Sequence, residues 1–144
     1  MKVTKFGGSS CADARQFAKV KSIITSESDR KMVVVSAPGK RHDTDHKITD
    51  MLYLCHQLME IGIGGEEVFE SIQKRFLDIQ NELGLTIDLS SEFDQVEKKL
   101  KLGAGADYAA SRGEYFSAKL MAAYLDYEFV DASEIIRFDN NDKY

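Results

Sequence analysis

The stretch Lys2-Val-Thr-Lys-Phe-Gly-Gly-Ser-Ser10 decides the fold, because a short strand with bulky side chains runs directly into two glycines and two hydroxyls. Gly7 and Gly8 allow a backbone approach that a Cβ would block. A helical pattern begins near Asp13, so the N–H groups of the loop and of the helix N-terminus converge, as is typical of an anion site. Lys5 precedes the glycines, whereas the lysine of a P-loop follows them. The stretch predicts a phosphate cradle of another kind, and an ordinary glycine turn is the alternative.

A second strand follows the first after one helix. Residues 13–25 place apolar side chains on one helical stripe. Residues 32–37 read Met-Val-Val-Val-Ser-Ala, a continuous run typical of a strand that is buried on both faces. Strand, helix and strand in this order predict a right-handed crossover and a parallel pair. Because ligands gather at the carboxyl ends of such strands, we expect the cradle and residues 36–39 to share one edge of the sheet.

The remainder of the chain is mainly helical. Apolar residues recur at helical spacing over 49–60, 66–83, 92–100 and 106–125. Thr49 is the expected N-cap of the first of these helices, and Ser90 or Ser91 that of the third. A strand over 127–130 and a further short strand over 135–138 complete the pattern. The sequence therefore predicts an α/β fold, a three-layer αβα sandwich with a mainly parallel sheet, interrupted by a helical insert between 49 and 102.

Composition narrows the classes of function. The chain has 144 residues, of which 43% are hydrophobic, enough for about one globular domain with a core. The net charge of -5, without a basic cluster, argues against a nucleic-acid partner. The apolar runs are too short to cross a bilayer, so we expect no membrane partner. Cys11 and Cys55 show no CxxC spacing and no signal peptide precedes them, which favours the cytoplasm.

Three further motifs have simpler explanations. Gly103-Ala-Gly105 lacks the third glycine of a dinucleotide fingerprint, so a loop between helices is favoured. His42-Asp-Thr-Asp-His46 contains metal-ligating side chains, but its spacing matches neither an EF-hand nor a zinc site, and we expect no dedicated metal there. A helix N-terminus lowers the pKa of a nearby cysteine. No base is identifiable near Cys11, however, and a packing role is favoured over a nucleophile.

Three segments taken together carry a family resemblance: Lys5-Phe-Gly-Gly-Ser-Ser10, Val33-Val-Val-Ser-Ala37 and Ser111-Arg-Gly-Glu-Tyr-Phe-Ser-Ala118. In this order they resemble the N-terminal part of the aspartate kinase family, within the amino-acid kinase superfamily. That family typically opens with Lys-Phe-Gly-Gly-Thr-Ser and carries a Val-Val-Ser-Ala strand, a Thr-Asp before a helix and a later Gly-Glu-x-x-Ser. Thr49-Asp50 matches the third feature, and Ser9 replaces the usual threonine while keeping a hydroxyl. The resemblance covers nearly the whole chain.

The resemblance implies a reaction and a set of site residues. The reaction is transfer of the γ-phosphoryl group of ATP, with Mg²⁺ held mainly through the phosphates, to the β-carboxylate of L-aspartate. The implied catalytic residue is Lys5, the implied phosphate-binding residues are Lys5, Gly7, Gly8 and Ser9, and the implied substrate-binding residues are Ser36, Thr49 and Glu114. Glu114 would pair with the α-ammonium group of aspartate, although without the family match it is more simply a solvated helix residue. A carboxylate acceptor needs no general base, which agrees with the position of all three histidines outside the matched segments.

Family members are much longer than this chain. The resemblance therefore implies that residues 1–144 are the N-terminal, substrate-binding part of a kinase domain, without its nucleotide-binding half and the ACT regulatory domains. We expect such a fragment to be inactive alone, and the full-length protein to be a cytoplasmic homo-oligomer that serves lysine, threonine and methionine synthesis. The alternatives are an enzyme of the acetylglutamate or uridylate kinase type and a non-catalytic binding or assembly module. Thr49-Asp50 and Gly113-Glu-x-x-Ser117 favour aspartate kinase over the first alternative.

Overall fold

A parallel pair of strands forms the sheet within residues 1–136, the part of the chain that the computed structural model describes. Strand β1 (Lys2–Phe6) pairs with strand β2 (Arg30–Val35). Helix α1 (Ala14–Thr25) connects them and begins after Asp13, whose carboxylate accepts the Gln16 N–H at 2.8 Å. The predicted strand, helix and parallel strand are confirmed.

Helices make up most of the described chain. A 3₁₀ helix (Gly8–Cys11) lies between β1 and α1, and the later helices are α2 (Ile48–Glu60), α3 (Glu66–Glu82), α4 (Ser90–Lys101), α5 (Ala106–Leu125) and α6 (Ala132–Ile135). The bounds of α1 to α5 agree with the predicted ones to within two residues. Helices α2 to α4 form the predicted helical insert. None of the helices in residues 1–136 is both long and apolar enough for a membrane span.

Aromatic side chains join the insert to α5. Phe76 of α3 and Phe93 of α4 both contact Phe116 of α5, with ring centroids 5.3 Å and 4.5 Å away. All three rings are buried. Tilted ring pairs of this kind contribute about 0.5–1.5 kcal/mol each beyond the burial of their area. The insert therefore shares one core with α5, the helix that carries Glu114.

Gly113 allows α5 to approach the end of β2 and the start of α2. A Cβ at Gly113 would lie 2.6 Å from the Cβ of Ala37, 3.3 Å from Cδ1 of Leu52 and 3.4 Å from Cγ2 of Ile48. The first distance is too short for any side chain, so only glycine permits this packing. Glu114, the next residue, is thereby fixed near the carboxyl end of the sheet.

The predicted N-cap of α2 is wrong. Lys47 occupies the N-cap position, and no side chain caps the helix. The N–H of Ile48, the first helical residue, donates instead to the carbonyl oxygen of Pro38 at 3.0 Å. Thr49 therefore lies within the first turn, with its hydroxyl free of a capping role.

The predicted N-cap of α4 is also wrong by one residue. Leu89 occupies the N-cap position, and Ser90 is the first residue of the helix. The carboxylate of Asp88 accepts the Ser90 N–H at 2.9 Å, so the acidic side chain takes the acceptor role expected of serine. Burial of Leu89 in the core explains why the apolar residue occupies the cap position.

Strand β2 is not buried on both faces, which corrects the expectation from its apolar run. Val35 is buried, but Met32 and Val34 are each 47% exposed. Val3, which pairs with Met32, is 61% exposed on the same face of the sheet. An unbroken apolar run indicates that both faces of the strand are apolar. It does not show whether residues of this part of the chain pack on both faces.

The predicted strand over 127–130 does not form. The Tyr127 N–H donates to the Ala122 carbonyl oxygen at 2.9 Å, which continues the end of α5. The Tyr127 hydroxyl lies 3.4 Å from the Arg30 carbonyl oxygen, and the Phe129 ring packs edge-on against Tyr115 at 5.3 Å. A β-pattern becomes a strand only where a neighbouring backbone pairs with it. Of the short strand predicted over 135–138, Ile135 lies in α6, and Arg137 and Phe138 lie outside the described residues.

Candidate active site

Two glycine-containing loops meet at the carboxyl end of the sheet. The Gly39 N–H donates to the Gly8 carbonyl oxygen at 2.8 Å. A Cβ on Gly39 would lie 2.7 Å from the carbonyl carbon of Gly8 and 2.9 Å from the nitrogen of Ser9. A Cβ on Gly8 would lie 3.1 Å from the Ala37 carbonyl oxygen. The expected shared edge of the two loops is confirmed, and the contact requires glycine at position 39 and leaves little room at position 8.

The backbone donors of the cradle belong to the 3₁₀ helix. Gly7 is its N-cap, and the Ser10 N–H donates back to the Gly7 carbonyl oxygen at 2.9 Å. The N–H groups of Gly8 and Ser9 open this helix and have no acceptor within residues 1–136. The N-terminus of α1 has its own cap, since the Asp13 carboxylate accepts the Gln16 N–H. The free donors that follow Lys5 most closely are therefore those of the shorter helix, and a contribution of α1 to the cradle stays a prediction.

A buried thiol marks the point around which the predicted site residues gather. Cys11 is fully buried, and this burial raises the pKa of its thiol. A hydrogen-bonding contact with the Ser36 backbone and the charge of Lys5 lower the pKa, whereas the charge of Glu114 raises it. The buried thiol stays protonated at neutral pH and is therefore a packing residue. The charges of Lys5 and Glu114 both act on this thiol, so these two side chains and Ser36 lie in the same part of the structure.

Ser117 lies beside the same thiol. Its hydroxyl is fully buried and approaches the Cys11 thiol closely enough to lower the pKa of that thiol. No other side chain or backbone group of residues 1–136 partners the Ser117 hydroxyl. Ser117 is the serine of the Gly-Glu-x-x-Ser segment, so this segment packs its serine against the residue that ends the 3₁₀ helix.

Glu114 has a carboxylate without a cationic partner. It is half-buried and lines a groove of about 670 Å³ between β2, α5 and residues 127–136. No Lys, Arg or His nitrogen of the described residues lies within 4.0 Å of it. The nearby guanidinium of Arg112 stacks instead on the rings of Tyr108 and Tyr115, 4.7 Å and 4.8 Å from their centroids. The negative charge at Glu114 is therefore available to a cationic ligand.

Lys5 is exposed on the open face of the sheet. It pairs with Val34 across the strands, so both side chains project to the same face. No carboxylate of residues 1–136 forms an ion pair with its ammonium group. An unpaired cation next to free backbone N–H groups is suited to an anion with several charges.

Ser36 and Thr49 reach the same end of the sheet from two elements. Ser36 continues β2, since its N–H donates to the Phe6 carbonyl oxygen at 3.0 Å. Thr49 is half-buried in the first turn of α2. The contacts of Gly113 with Ala37 and Ile48 join the residues that neighbour Ser36, Thr49 and Glu114. The structure thus brings the three predicted substrate residues to one region.

A buried ion pair next to the cradle was missed by the sequence reasoning. Nη2 of Arg75 lies 2.7 Å from Oδ2 of Asp45, and these residues are only 5% and 8% exposed. Nε of Arg41 donates to the same oxygen at 2.8 Å. Hydrogen bonds from Arg41 hold the pKa of Asp45 well below its usual range, whereas burial lowers the pKa of Arg75. The Asp45 carboxylate of the His42–His46 loop is thus occupied by two guanidinium groups.

One sequence signal pointed to this pair. Arg75 interrupts the apolar stripe of α3, which is formed by Phe69, Ile72, Phe76 and Ile79. A charged residue on a buried stripe requires a partner. The partner lies 30 residues away in a polar loop and could not be identified from local pattern.

Within residues 1–136, these features define an α/β protein that has, at the carboxyl edge of a parallel sheet, a glycine-containing loop with N–H groups that lack an acceptor, an unpaired lysine and an unpaired carboxylate. The chain belongs to the amino acid kinase family, whose model matches residues 1–143. It is 38% identical over 141 residues to aspartokinase 3 of Bacillus subtilis, covering 94% of this chain and 31% of that protein. It is 33% identical over 137 residues to the chloroplastic aspartokinase 3 of Arabidopsis thaliana, covering 86% of this chain and 23% of that protein.

Solved structures agree with this family membership. The aspartate kinase of Clostridium acetobutylicum superimposes with a TM-score of 0.88 at 50% identity, covering 92% of this chain and 31% of that one. Escherichia coli aspartokinase III, in complex with aspartate and ADP, shares the fold with a TM-score of 0.67 at 24% identity, covering 86% and 28%. The resemblance to aspartate kinases is confirmed, and the chain spans about a third of the length of its nearer relatives, 31% in each case.

Proposed function

We propose that residues 1–144 form the aspartate-binding and γ-phosphate-binding part of an ATP-dependent aspartate kinase domain. The observation that carries the proposal is that, within residues 1–136, an unpaired lysine, backbone N–H groups without an acceptor and an unpaired carboxylate belong to segments that meet at the carboxyl end of the sheet. The first two suit a phosphate, and the third suits the ammonium group of an amino acid. The similarity to proteins named aspartokinases supports aspartate as that amino acid.

In the proposed reaction, an oxygen of the aspartate β-carboxylate attacks the γ-phosphorus of ATP. The bond from this phosphorus to the ADP oxygen breaks, ADP leaves with the bonding electrons, and aspartyl phosphate forms without any proton transfer. Lys5 would neutralise charge on the transferring group, together with the N–H groups of Gly7, Gly8 and Ser9. Catalysis of this kind depends on positioning and charge, which is consistent with a site that offers donors and no general base.

The described residues fit a magnesium ion that is carried by the nucleotide. Residues 1–136 contain no group of three His, Cys, Asp or Glu side chains that could hold an ion, and Asp45 is occupied by two guanidinium groups. Mg²⁺ commonly binds through substrate phosphates with few protein ligands. When bound, it would neutralise phosphate charge, while this chain's own residues would hold and orient the oxygens.

Substrate selection would come from Glu114, Ser36 and Thr49. Glu114 would accept hydrogen bonds from the α-ammonium group, and the two hydroxyls would hold the remaining polar groups of aspartate. A charge-assisted hydrogen bond contributes about 1.5–3 kcal/mol. The structure of Escherichia coli aspartokinase III with bound aspartate and ADP supports this pairing of substrates.

The cellular setting is part of the same proposal. The product would feed the synthesis of lysine, threonine and methionine, and the complex of Escherichia coli aspartokinase III with lysine and aspartate is in keeping with this. Two buried free cysteines suit the reducing cytoplasm, the proposed location. The exposed apolar face of the sheet, at Val3, Met32 and Val34, supports burial of this surface in a larger, homo-oligomeric protein.

An assay of the complete protein tests the proposal. Formation of ADP would be measured with L-aspartate, N-acetylglutamate or uridine monophosphate as the acceptor, and trapping with hydroxylamine would detect an acyl phosphate. We expect ADP and hydroxamate to form with aspartate alone. Turnover with either other acceptor, without turnover on aspartate, would indicate a different amino-acid kinase. No turnover with any acceptor would indicate a non-catalytic module.

A further inference from the structure

We propose that Arg75, a residue of the helical insert, is the positioning residue of the phosphate cradle. The helical insert would thereby contribute to the proposed kinase site, on which this inference rests. Arg75 lies on α3 and does not line the groove that contains Glu114. It would act through the backbone that it holds and would not touch the reacting atoms.

The guanidinium of Arg75 joins three separate segments. Its Nη1 donates to the carbonyl oxygens of Ala12 at 3.3 Å and Gly39 at 3.2 Å. Its Nη2 donates to the Asp45 carboxylate at 2.7 Å and to the His46 carbonyl oxygen at 3.3 Å. A planar guanidinium presents its donors in a rigid fork, so one side chain fixes all four acceptors relative to each other.

These acceptors lie on both sides of the cradle. Ala12 follows the 3₁₀ helix whose first N–H groups form the cradle. The Gly39 carbonyl oxygen accepts a hydrogen bond from Arg75, and the Gly39 N–H donates to the Gly8 carbonyl oxygen at 2.8 Å. A displacement of Arg75 therefore releases both the end of the 3₁₀ helix and the loop that packs on its beginning. The direction of the cradle N–H groups therefore depends on the hydrogen bonds from Arg75 to Ala12 and to Gly39.

The electrostatic surroundings fit positioning better than stabilisation. Asp45 compensates the charge of Arg75, whereas the partly exposed Arg41, which binds the same carboxylate, repels it. Lys74 and Asp78, on the same helix, pair with each other at 2.9 Å. Replacing a buried ion pair with apolar side chains of similar volume is often neutral for folding. The stability of the fold therefore does not explain a buried arginine at this position. Its hydrogen bonds to four acceptors on separate segments explain it better.

The test uses the complete protein with three variants. Arg75→Lys keeps the charge near Asp45 but cannot reach all four acceptors. Arg75→Met combined with Asp45→Leu removes both charges and retains the apolar volume. Lys74→Met is the matched control, because it removes the neighbouring, exposed cation of the same helix. Hydrogen–deuterium exchange followed by mass spectrometry would report on peptides that cover 7–12, 36–40 and, as a core reference, 116–121.

We expect both Arg75 variants to exchange about tenfold faster at 7–12 and 36–40, with unchanged exchange at 116–121. Their kcat/KM for ATP should fall about 100-fold at a temperature where they stay folded, since small misplacements cost this much. Lys74→Met should match the wild type in both measurements. Wild-type exchange and turnover in Arg75→Lys would overturn the proposal. Equal acceleration at 116–121 would also overturn it, because the role would then be structural.

The two measurements separate this inference from the proposed function. If the wild-type protein does not phosphorylate aspartate, the proposed function fails, and the exchange of 7–12 and 36–40 still decides whether Arg75 holds the cradle. If the wild-type protein is active and Arg75→Lys retains its kcat/KM for ATP, the proposed function stands and the positioning role is refuted.

Discussion

The backbone N–H of Gly39 lies 2.8 Å from the carbonyl oxygen of Gly8, so one hydrogen bond joins the loop after β2 to the loop after β1. Gly39 has no room for a side chain here, and a Cβ on Gly8 would crowd the Ala37 carbonyl oxygen at 3.1 Å. The contact lies where the parallel strands end and where the first N–H groups of the 3₁₀ helix are free. The geometry of the proposed phosphate site therefore depends on Gly39 as well as on Gly7 and Gly8, the two glycines from which the site was predicted.

Gly39→Ala tests this dependence. The added Cβ would overlap the Gly8 carbonyl carbon at 2.7 Å, and the cradle must shift to accommodate it. Overpacking of this kind costs about 1–3 kcal/mol of unfolding free energy. In the complete protein we also expect kcat to fall about 100-fold, because the backbone N–H groups that would bind the phosphate are displaced. Thermal denaturation and steady-state kinetics would measure the two effects.

Gly7→Ala is the matched control for stability. A Cβ at Gly7 meets nothing within 4 Å, and its φ of -80° suits any residue. Its unfolding free energy should therefore remain within about 0.5 kcal/mol of the wild type. If Gly39→Ala were as stable as Gly7→Ala and fully active, the close contact would not control the site.

Local pattern predicted the helices well and the contacts between loops poorly. Each of α1 to α5 has one buried stripe, and a stripe is visible in the sequence itself. The prediction that Thr49 caps α2 was wrong because the Pro38 carbonyl oxygen accepts the first N–H of the helix. Every residue has a backbone carbonyl, so an acceptor of this kind cannot be recognised from the sequence. The bond between Arg75 and Gly39 spans 36 residues, a separation at which no periodic pattern applies. The individual site residues were named by a resemblance and stay predictions, whereas the hydrogen bonds of Arg75 that hold the neighbouring backbone had no sequence signal.

Lys5→Ala tests the proposed catalytic role of the ammonium group. Removal of one electrostatic donor to a transition state costs about 2–4 kcal/mol, so kcat in the complete protein should fall by about 10²–10³. The KM for aspartate should change much less. Lys2→Ala is the control, because Lys2 lies on the same strand and pairs with the exposed Glu27. A Lys5→Ala enzyme with near-normal turnover would remove Lys5 from the mechanism.

Glu114→Gln tests recognition of the substrate ammonium group. The substitution keeps the shape of the side chain and removes its charge, so a charge-assisted hydrogen bond of about 1.5–3 kcal/mol is lost. We expect the KM for aspartate to rise about 10- to 100-fold while the KM for ATP stays within about twofold. Glu70→Gln, at an exposed position of α3, should leave both unchanged. Equal weakening of both substrates would indicate a structural role for Glu114.

Asp45→Asn tests the buried ion pair through its dependence on pH. Hydrogen bonds from Arg41 lower the pKa of Asp45 in the folded state, so its contribution to stability is present above the unfolded pKa of about 3.9 and is lost as pH falls. At pH 7 the variant should lose about 3–5 kcal/mol of unfolding free energy, since removal of the carboxylate leaves the buried charge of Arg75 without its partner. Urea denaturation would measure this loss.

The difference between wild type and Asp45→Asn should narrow by about 1.4 kcal/mol per pH unit below pH 4. Asp78→Asn, which breaks the exposed pair with Lys74, should cost less than about 1 kcal/mol at any pH. A difference between wild type and Asp45→Asn that stays constant from pH 7 to pH 3 would show that the carboxylate charge is not the stabilising element.

The 144-residue chain on its own should fold at least in part and fail to phosphorylate aspartate. Its described residues offer a cradle and a substrate carboxylate, whereas the nearer relatives are about three times as long, since the chain covers 31% of them. Alignment of two reactants supplies about 7–11 kcal/mol of barrier reduction, so activity should fall by many orders of magnitude if the rest of the site lies beyond this chain. An assay of aspartate-dependent ADP formation on the purified chain would detect this, and a rate near that of the complete protein would refute it.

The same chain should self-associate through the open face of its sheet. Val3, Met32 and Val34 expose adjacent apolar surface beside the unpaired outer edges of two strands, and such surfaces drive association. Val34→Lys introduces a charge at the centre of this face and should shift the chain towards a monomer in sedimentation velocity experiments. Lys31→Ala, on the same strand but without loss of apolar surface, is the control. If the wild-type chain is monomeric at about 100 μM, a concentration at which exposed apolar patches normally associate, the open face does not act as an association surface.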